Sequence, residues 1–178
     1  MAAARLMVQS RGYNALSFRE LGKEVGIKSA SIHYHFPTKD ELATALAQRY
    51  TEDLVLHLQH LKSSLKNTHE RMTAYTEVFR AALLKGNRMC LCGMLAAERD
   101  ELSPQVQAEV EKFNAANVAW LSEMLAADEP ASTADAIERR AFAILSAVEG
   151  AQLVARGCGD VRVYDRTIDT YRAVGLIP

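Results

Sequence analysis

Apolar residues recur along this chain at intervals of three and four, the spacing of one face of an α-helix, and nowhere do they alternate with polar ones as a half-buried strand requires. The breaks between these stretches carry residues that stop or start helices. A first helix runs to about Arg11 and closes at Gly12. Ser17-Phe-Arg-Glu20 reads as a capping box, in which a serine hydroxyl accepts an early backbone N–H and a glutamate three residues on reaches back. The helix it opens reaches about Val25 and stops at Gly26. Ser29 is then expected to cap a short helix from Ala30 to about Phe36, and Thr38-Lys-Asp-Glu41, a second capping box just after Pro37, launches a long one to about Leu65.

Further helices are predicted over roughly 68–85, 89–99, 104–127, 134–155 and 162–174. Pro104 occupies a first helical position behind Ser103, the loop Asp128 to Thr133 separates two long helices, and Arg156-Gly-Cys-Gly159 is expected to break the penultimate one. The pattern specifies an all-α fold of nine helices, without repeats or low-complexity segments.

Composition agrees with that reading and narrows it. At 178 residues, 49% hydrophobic and 24% charged, the chain can bury a sizeable core. No uninterrupted apolar run approaches the roughly 18 residues that span a bilayer, and MAAARLMVQSRG has no signal-peptide character, so a cytoplasmic protein without membrane contact is expected. Three cysteines make a disulfide framework unsuited to the chain and leave thiols for other chemistry. The net charge of −1 hides an asymmetry: residues 1–50 hold seven Lys/Arg against four Asp/Glu, or +3, which leaves −4 for the remainder. A basic head on an acidic body fits that distribution.

Residues 17–36, SFRELGKEVGIKSASIHYHF, form two short helices about a glycine turn, the helix-turn-helix pattern, with Leu21, Val25, Ile27 and Ile32 placed to fix the angle between them. In such a unit the second helix enters the major groove. Small Ala30 and Ser31 would let it approach base edges, His33, Tyr34 and His35 add ring donors, and Lys39 falls near the phosphate path. A plain helical hairpin would share the glycine turn but not this run of chemistry.

Residues 12–42, GYNALSFRELGKEVGIKSASIHYHFPTKDEL, resemble the DNA-binding signature of the TetR (tetracycline-repressor, TetR/AcrR) family at nearly every position. The resemblance implies a TetR-like fold: a three-helix head over residues 1–48 and an effector-binding and dimerisation body over 49–178. It implies phosphate contacts from Ser17, Tyr34, His35 and Lys39, and base or groove contacts from Arg19, Lys28, Ser29, Ala30, Ser31 and His33. The family usually has tyrosine where this chain has His33, which changes the reach and charge of that contact and adds a group that titrates near neutral pH. Family members also carry a further ten or more residues that complete the first helix and add a basic arm, so either this chain starts late, with DNA affinity reduced accordingly, or its true start lies ahead of Met1.

One head reads too few base pairs for specificity, so a homodimer on palindromic double-stranded operator DNA is expected. Residues 134–155 and 162–174 are the candidate interface, the first because Ala143, Ala147, Gly150 and Ala151 permit close helix approach, and the resemblance implies a four-helix contact built from these segments. Between head and interface, Tyr75, Phe79, Met89, Met94, Trp120 and Met124, with Cys90 and Cys92 beside them in sequence, are candidates for an adaptable effector pocket for a small apolar or electrophilic ligand, though each alone also reads as ordinary core.

Cys90 and Cys92, in MCLCGM, would point about 200° apart on a helix, so they are not expected to share one pocket or chelate one metal. One is expected to face the core, the other to lie near a helix N-terminus beside Arg88, where its thiolate is favoured. The stretch is similar to the Gly-Cys-Leu segment of electrophile-sensing TetR members, which implies a thiol sensor at Cys90. Cys158, between glycines, is a separate exposed thiol.

No metal or cofactor is expected. Of the rival classes, a same-fold redox sensor with weak or no DNA binding would rest on the cysteines, and a helical adaptor would leave residues 29–39 unexplained. A Cys-dependent enzyme would need a base beside its thiol, yet His57, His60 and His69 lie on helical segments without a nucleophile elbow.

Overall fold

A computed structural model describes residues 1–178, as nine α-helices and one short 3-10 turn with no strand. In order these are α1 (Ala2–Arg11), α2 (Phe18–Val25), α3 (Ser29–His35), α4 (Lys39–Ser64), α5 (Thr68–Leu84), α6 (Leu91–Ala97), the 3-10 turn Arg99–Glu101, α7 (Pro104–Asp128), α8 (Ala134–Cys158) and α9 (Val161–Ala173). The chain divides into two compact units, Met1–Asp53 with Cys90–Phe113, and Leu54–Met89 with Asn114–Pro178. Helices α4 and α7 each contribute a segment to both.

In the first unit α1 packs on α2 and α6, and α2 on α3. Ala4, Met7 and Val8 of α1, Leu21 of α2, Ile32 of α3 and Leu91 and Leu95 of α6 supply the buried apolar surface. Each large side chain removed from water in this way contributes about 1.5–3 kcal/mol. Tyr50 of α4 stacks on Phe113 of α7 at 5.5 Å, with the Arg5 guanidinium 4.5 Å from the Tyr50 ring centroid and 3.7 Å from Asp53.

In the second unit α8 packs against α9 and α5. Buried polar groups are matched in pairs, as a low-dielectric interior demands: Tyr75 Oη donates to Asn117 Oδ1 (2.9 Å), Gln152 Nε2 to the Phe79 carbonyl (2.7 Å) and Tyr164 Oη to the Thr76 carbonyl (2.7 Å). Arg80 grips Asp165 with two bonds of 2.7 and 3.1 Å, tying α5 to α9. Arg71 donates to the carbonyls of Lys62 and Leu65 and so satisfies the end of α4, after which Asn67 caps α5 through Glu70 N–H.

Several local expectations are corrected. Ser17 flanks α2 but makes no side-chain cap bond, and the Glu20 carboxylate turns outward to Lys23 and Arg19 instead of back to the helix start. Ser29 is the first residue of α3 rather than its cap: Lys28 holds the extended cap geometry and its carbonyl accepts from Ser31 N–H. Thr38, by contrast, caps α4 by accepting Glu41 N–H at 3.1 Å. Val25 and Ile27 are 53% and 49% exposed, so the angle between α2 and α3 does not rest on them.

Helix α6 is shorter than its pattern suggested because Cys90 is extended, with φ −48° and ψ 137°. Helix α8 continues through Gly157 and Cys158 and stops at Gly159, whose φ of +63° suits glycine. It alone has the length and mean hydropathy (1.2 over its best window) of a membrane span, although no uninterrupted run reaches that length. The fold accounts for part of that apolarity through burial of Ile144, Val148 and Ala151.

Candidate nucleic-acid interface

The head is organised by one glycine that sequence reasoning passed over. A Cβ on Gly22, inside α2, would lie 2.7 Å from the Ile27 carbonyl oxygen and 3.4 Å from Ser29 N. The turn after α2 folds back onto this bare position: Gly26, at φ +74° and ψ +29°, and Ile27 both donate their N–H groups to the Gly22 carbonyl. α3 therefore leaves the turn in one direction, anchored below by Ile32, its single buried residue.

The remaining side chains of α3 face solvent. Ser29, Ala30, Ser31, His33, Tyr34 and His35 are all exposed, as is Lys28 before them, with Tyr34 at 84%. Such a helix contributes little to its own fold and offers nearly all its surface to a partner. His33 is steadied from two sides, edge-on to Phe18 at 4.4 Å and with Nδ1 3.4 Å from the Pro37 carbonyl. If Nδ1 carries the proton in that contact, Nε2 is left as an outward acceptor. Tyr34 and His35 meet edge to face at 5.2 Å.

Arg19 projects from α2 and is paired only loosely with Glu20, at 3.3 Å, in a solvent-screened contact that a phosphate can displace. The Lys23 ammonium beside it, at 3.0 Å, is the main reason the Glu20 carboxyl lies below its ordinary range. Ser17 is half-buried, with its hydroxyl uncommitted to the helix end. Lys39 is half-buried with its Nζ 3.8 Å over the Tyr13 ring. Burial lowers its pKa, and the negative charges of Glu98, Asp40 and Glu101 oppose that shift. Tyr13 donates its hydroxyl to Asp40, and burial, then this bond, push its pKa well above the ordinary phenol value.

The cysteines depart from expectation. Cys90 and Cys92 are both buried, each 1% exposed, and both approach Tyr50. Burial, then contact with Cys90 and the nearby Cys92, raises the Tyr50 pKa. The 200° argument fails because Cys90 precedes α6 in extended geometry rather than lying on it. Cys158 is exposed, as its glycine neighbours suggested.

Of the other pocket candidates, Tyr75, Phe79, Met89, Trp120 and Met124 are buried in the second unit, and Tyr75 meets Phe79 and Trp120 at ring distances of 5.4 Å. Met94 belongs to the first unit and is half-buried. An open groove of about 670 Å³ between α7 and the start of α8, lined by Ala119, Ile137 and Phe142 with Glu123 and Glu138, had no signal in the sequence because it forms only where α7 and α8 face each other.

A buried-root, exposed-face second helix behind a glycine turn defines the class: a helix-turn-helix DNA-binding regulator fold. Residues 1–46 match the family model for bacterial regulatory proteins of the tetR family. A TetR transcriptional regulator from Legionella pneumophila is 28% identical, with 99% of this chain and 94% of that chain covered and a TM-score of 0.90. A TetR-family regulator from Agrobacterium tumefaciens is 27% identical over 93% and 90% of the two chains, with a TM-score of 0.86. The transcriptional activator FasR of Mycolicibacterium smegmatis is 29% identical over 79 residues, 44% of this chain and 36% of FasR, so the match spans little more than a third of that relative. Residues 1–46 thus carry the tetR-family DNA-binding region, and the chain as a whole shares the fold of TetR-family transcription regulators.

Proposed function

We propose that this chain is a homodimeric repressor that binds palindromic operator DNA through residues 1–48 and releases it when the body, residues 49–178, takes up a small effector. The observation that carries this reading is α3, which buries Ile32 alone and leaves Lys28, Ser29, Ala30, Ser31 and His33 free to meet base edges. Ser17, Tyr34, His35 and Lys39 flank that surface as phosphate contacts, and Arg19 reaches the groove from α2.

Dimerisation is assigned to residues 134–155 and 162–174. The open side of α8 carries Phe142, Ala143, Ser146, Gly150, Leu153 and Val154, an exposed apolar and small-residue face that suits close packing against a second copy. Two heads then read half-sites about one helical turn or a multiple apart. The effector is a small apolar or electrophilic molecule. The aromatic group of Tyr75, Phe79 and Trp120 supports an apolar ligand, and the free thiols of Cys90 and Cys92 support a thiol-reactive one. The setting is the cytoplasm, where the operator lies.

A mobility-shift series on the intergenic DNA beside the gene, across salt concentrations and with a panel of apolar compounds and quinones, tests the reading. Specific binding that weakens steeply with salt is expected, since each phosphate contact releases counterions. No retention of that DNA by the folded dimer refutes it. Unchanged release by quinones in Cys90→Ser removes the thiol branch.

A further inference from the structure

We propose that Glu98, at the far end of α6, is a positioning residue for DNA binding: its carboxylate clamps the loop between α1 and α2 and through Tyr13 sets the Lys39 corner of the reading head. The inference rests on the DNA-binding function proposed above. Glu98 caps the C-terminus of α6, and its two oxygens each take one of two successive backbone donors, Oε1 from Tyr13 N–H at 2.8 Å and Oε2 from Asn14 N–H at 3.1 Å. Charge-assisted bonds of this kind are roughly twice as strong as neutral ones.

The loop is shaped to receive that carboxylate. Gly12 has φ +85°, a conformation that favours glycine, and a Cβ there would lie 2.0 Å from Glu98 Oε1. Position 12 is thus glycine for two independent reasons, a backbone turn and the space occupied by the incoming side chain. Once its amide is held, Tyr13 is buried with its hydroxyl on Asp40 and its ring beneath the Lys39 ammonium. Asp40 and Lys39 open α4 directly after α3. The path from Glu98 to a phosphate-contacting lysine is therefore two amides, one ring and one ammonium. Glu98 is also the leading negative charge that opposes the effect of burial on Lys39 and so favours its cationic form.

Two donors in sequence require two acceptor oxygens. A glutamine of the same shape offers one acceptor and would set its NH₂ against the second N–H, so Glu98→Gln separates the clamp from simple space filling. The test is amide hydrogen exchange and DNA binding on the full chain with Glu98→Gln, with Glu98→Asp as the conservative variant. Exchange at Tyr13 and Asn14 is expected to rise at least about ten-fold in Glu98→Gln while α8 amides keep their protection, and Glu98→Asp is expected to recover part of it. Affinity for the intergenic fragment is expected to fall about ten-fold, with the slope of log K against log salt shallower by about one as the Lys39 contact is lost.

Unaltered protection of the two amides in Glu98→Gln overturns the proposal. So does faster exchange with wild-type affinity and salt slope, because the clamp would then order a loop without serving the head. If the wild-type chain itself fails to retain the DNA, the DNA-binding reading fails and this positioning role with it, whatever the exchange data show for the loop.

Discussion

Gly22→Ala isolates the contact that aims α3. The added methyl would stand 2.7 Å from the Ile27 carbonyl oxygen, a backbone atom, whereas real Cβ atoms essentially never come within 3.0 Å. The turn must therefore move by at least a few tenths of an ångström, and it moves the start of α3 with it. Overpacking of this kind costs about 1–3 kcal/mol, and replacing a mid-helix glycine by alanine returns about 1 kcal/mol, so the net stability change is a loss of about 0–2 kcal/mol. For a chain of this size that is a fall in Tm of about 0–8 °C. Function should suffer more than stability, because α3 must meet the groove in one orientation, and a displaced contact set worth about 1.4 kcal/mol already lowers affinity ten-fold.

Gly26→Ala is the control. It has open space around the new methyl but a φ of +74°, so it should cost about 1–2 kcal/mol of stability without redirecting α3. Thermal melts and DNA titration of both variants in parallel decide the matter. A Gly22→Ala protein that melts at or above the wild-type temperature and binds DNA as tightly refutes the reasoning.

Leu153→Glu, on the exposed side of α8, should give a folded monomer by sedimentation and abolish tight operator binding; a dimer unchanged by this charge places the interface elsewhere. Tyr75→Phe takes away the buried donor to Asn117 and should cost about 1–3 kcal/mol, read as a lower Tm, with DNA affinity per folded molecule intact. Tyr13, Tyr50 and Tyr164 have phenol pKa values above the ordinary 10.0, burial being the first cause for each. Their protonated forms are favoured in the folded chain, so their contribution is complete below pH 10 and is lost as pH rises above it. Absorbance at 295 nm should show these tyrosines ionising late, together with alkaline unfolding; all six tyrosines titrating near 10 in the folded chain would contradict it.

The order and type of the helices were legible in the sequence because each rests on local chemistry: a 3.6-residue apolar period, Gly26 and Gly159 at helix ends, Thr38 and Pro104 at helix starts. The exposed chemistry of residues 28–35 was legible for the same reason, since a short helix with one isoleucine can bury little else. What tertiary structure decided were matters of competition between distant groups. Ser17 and Glu20 have the spacing of a capping box, yet Lys23 and Arg19 take the glutamate. Val25 and Ile27 are apolar but stay in water because the turn packs through the backbone at Gly22.

Cys90 hydrogen-bonds to Tyr50 with Cys92 nearby, an arrangement the helical spacing did not suggest because Cys90 lies before its helix. Gly12 signalled a helix end in the sequence, but its second role, making room for a carboxylate 86 positions along the chain at Glu98, depends on a contact no local pattern encodes. A backbone amide does not record in its own residue type which distant acceptor will satisfy it, and that is the part of this protein only the folded chain determines.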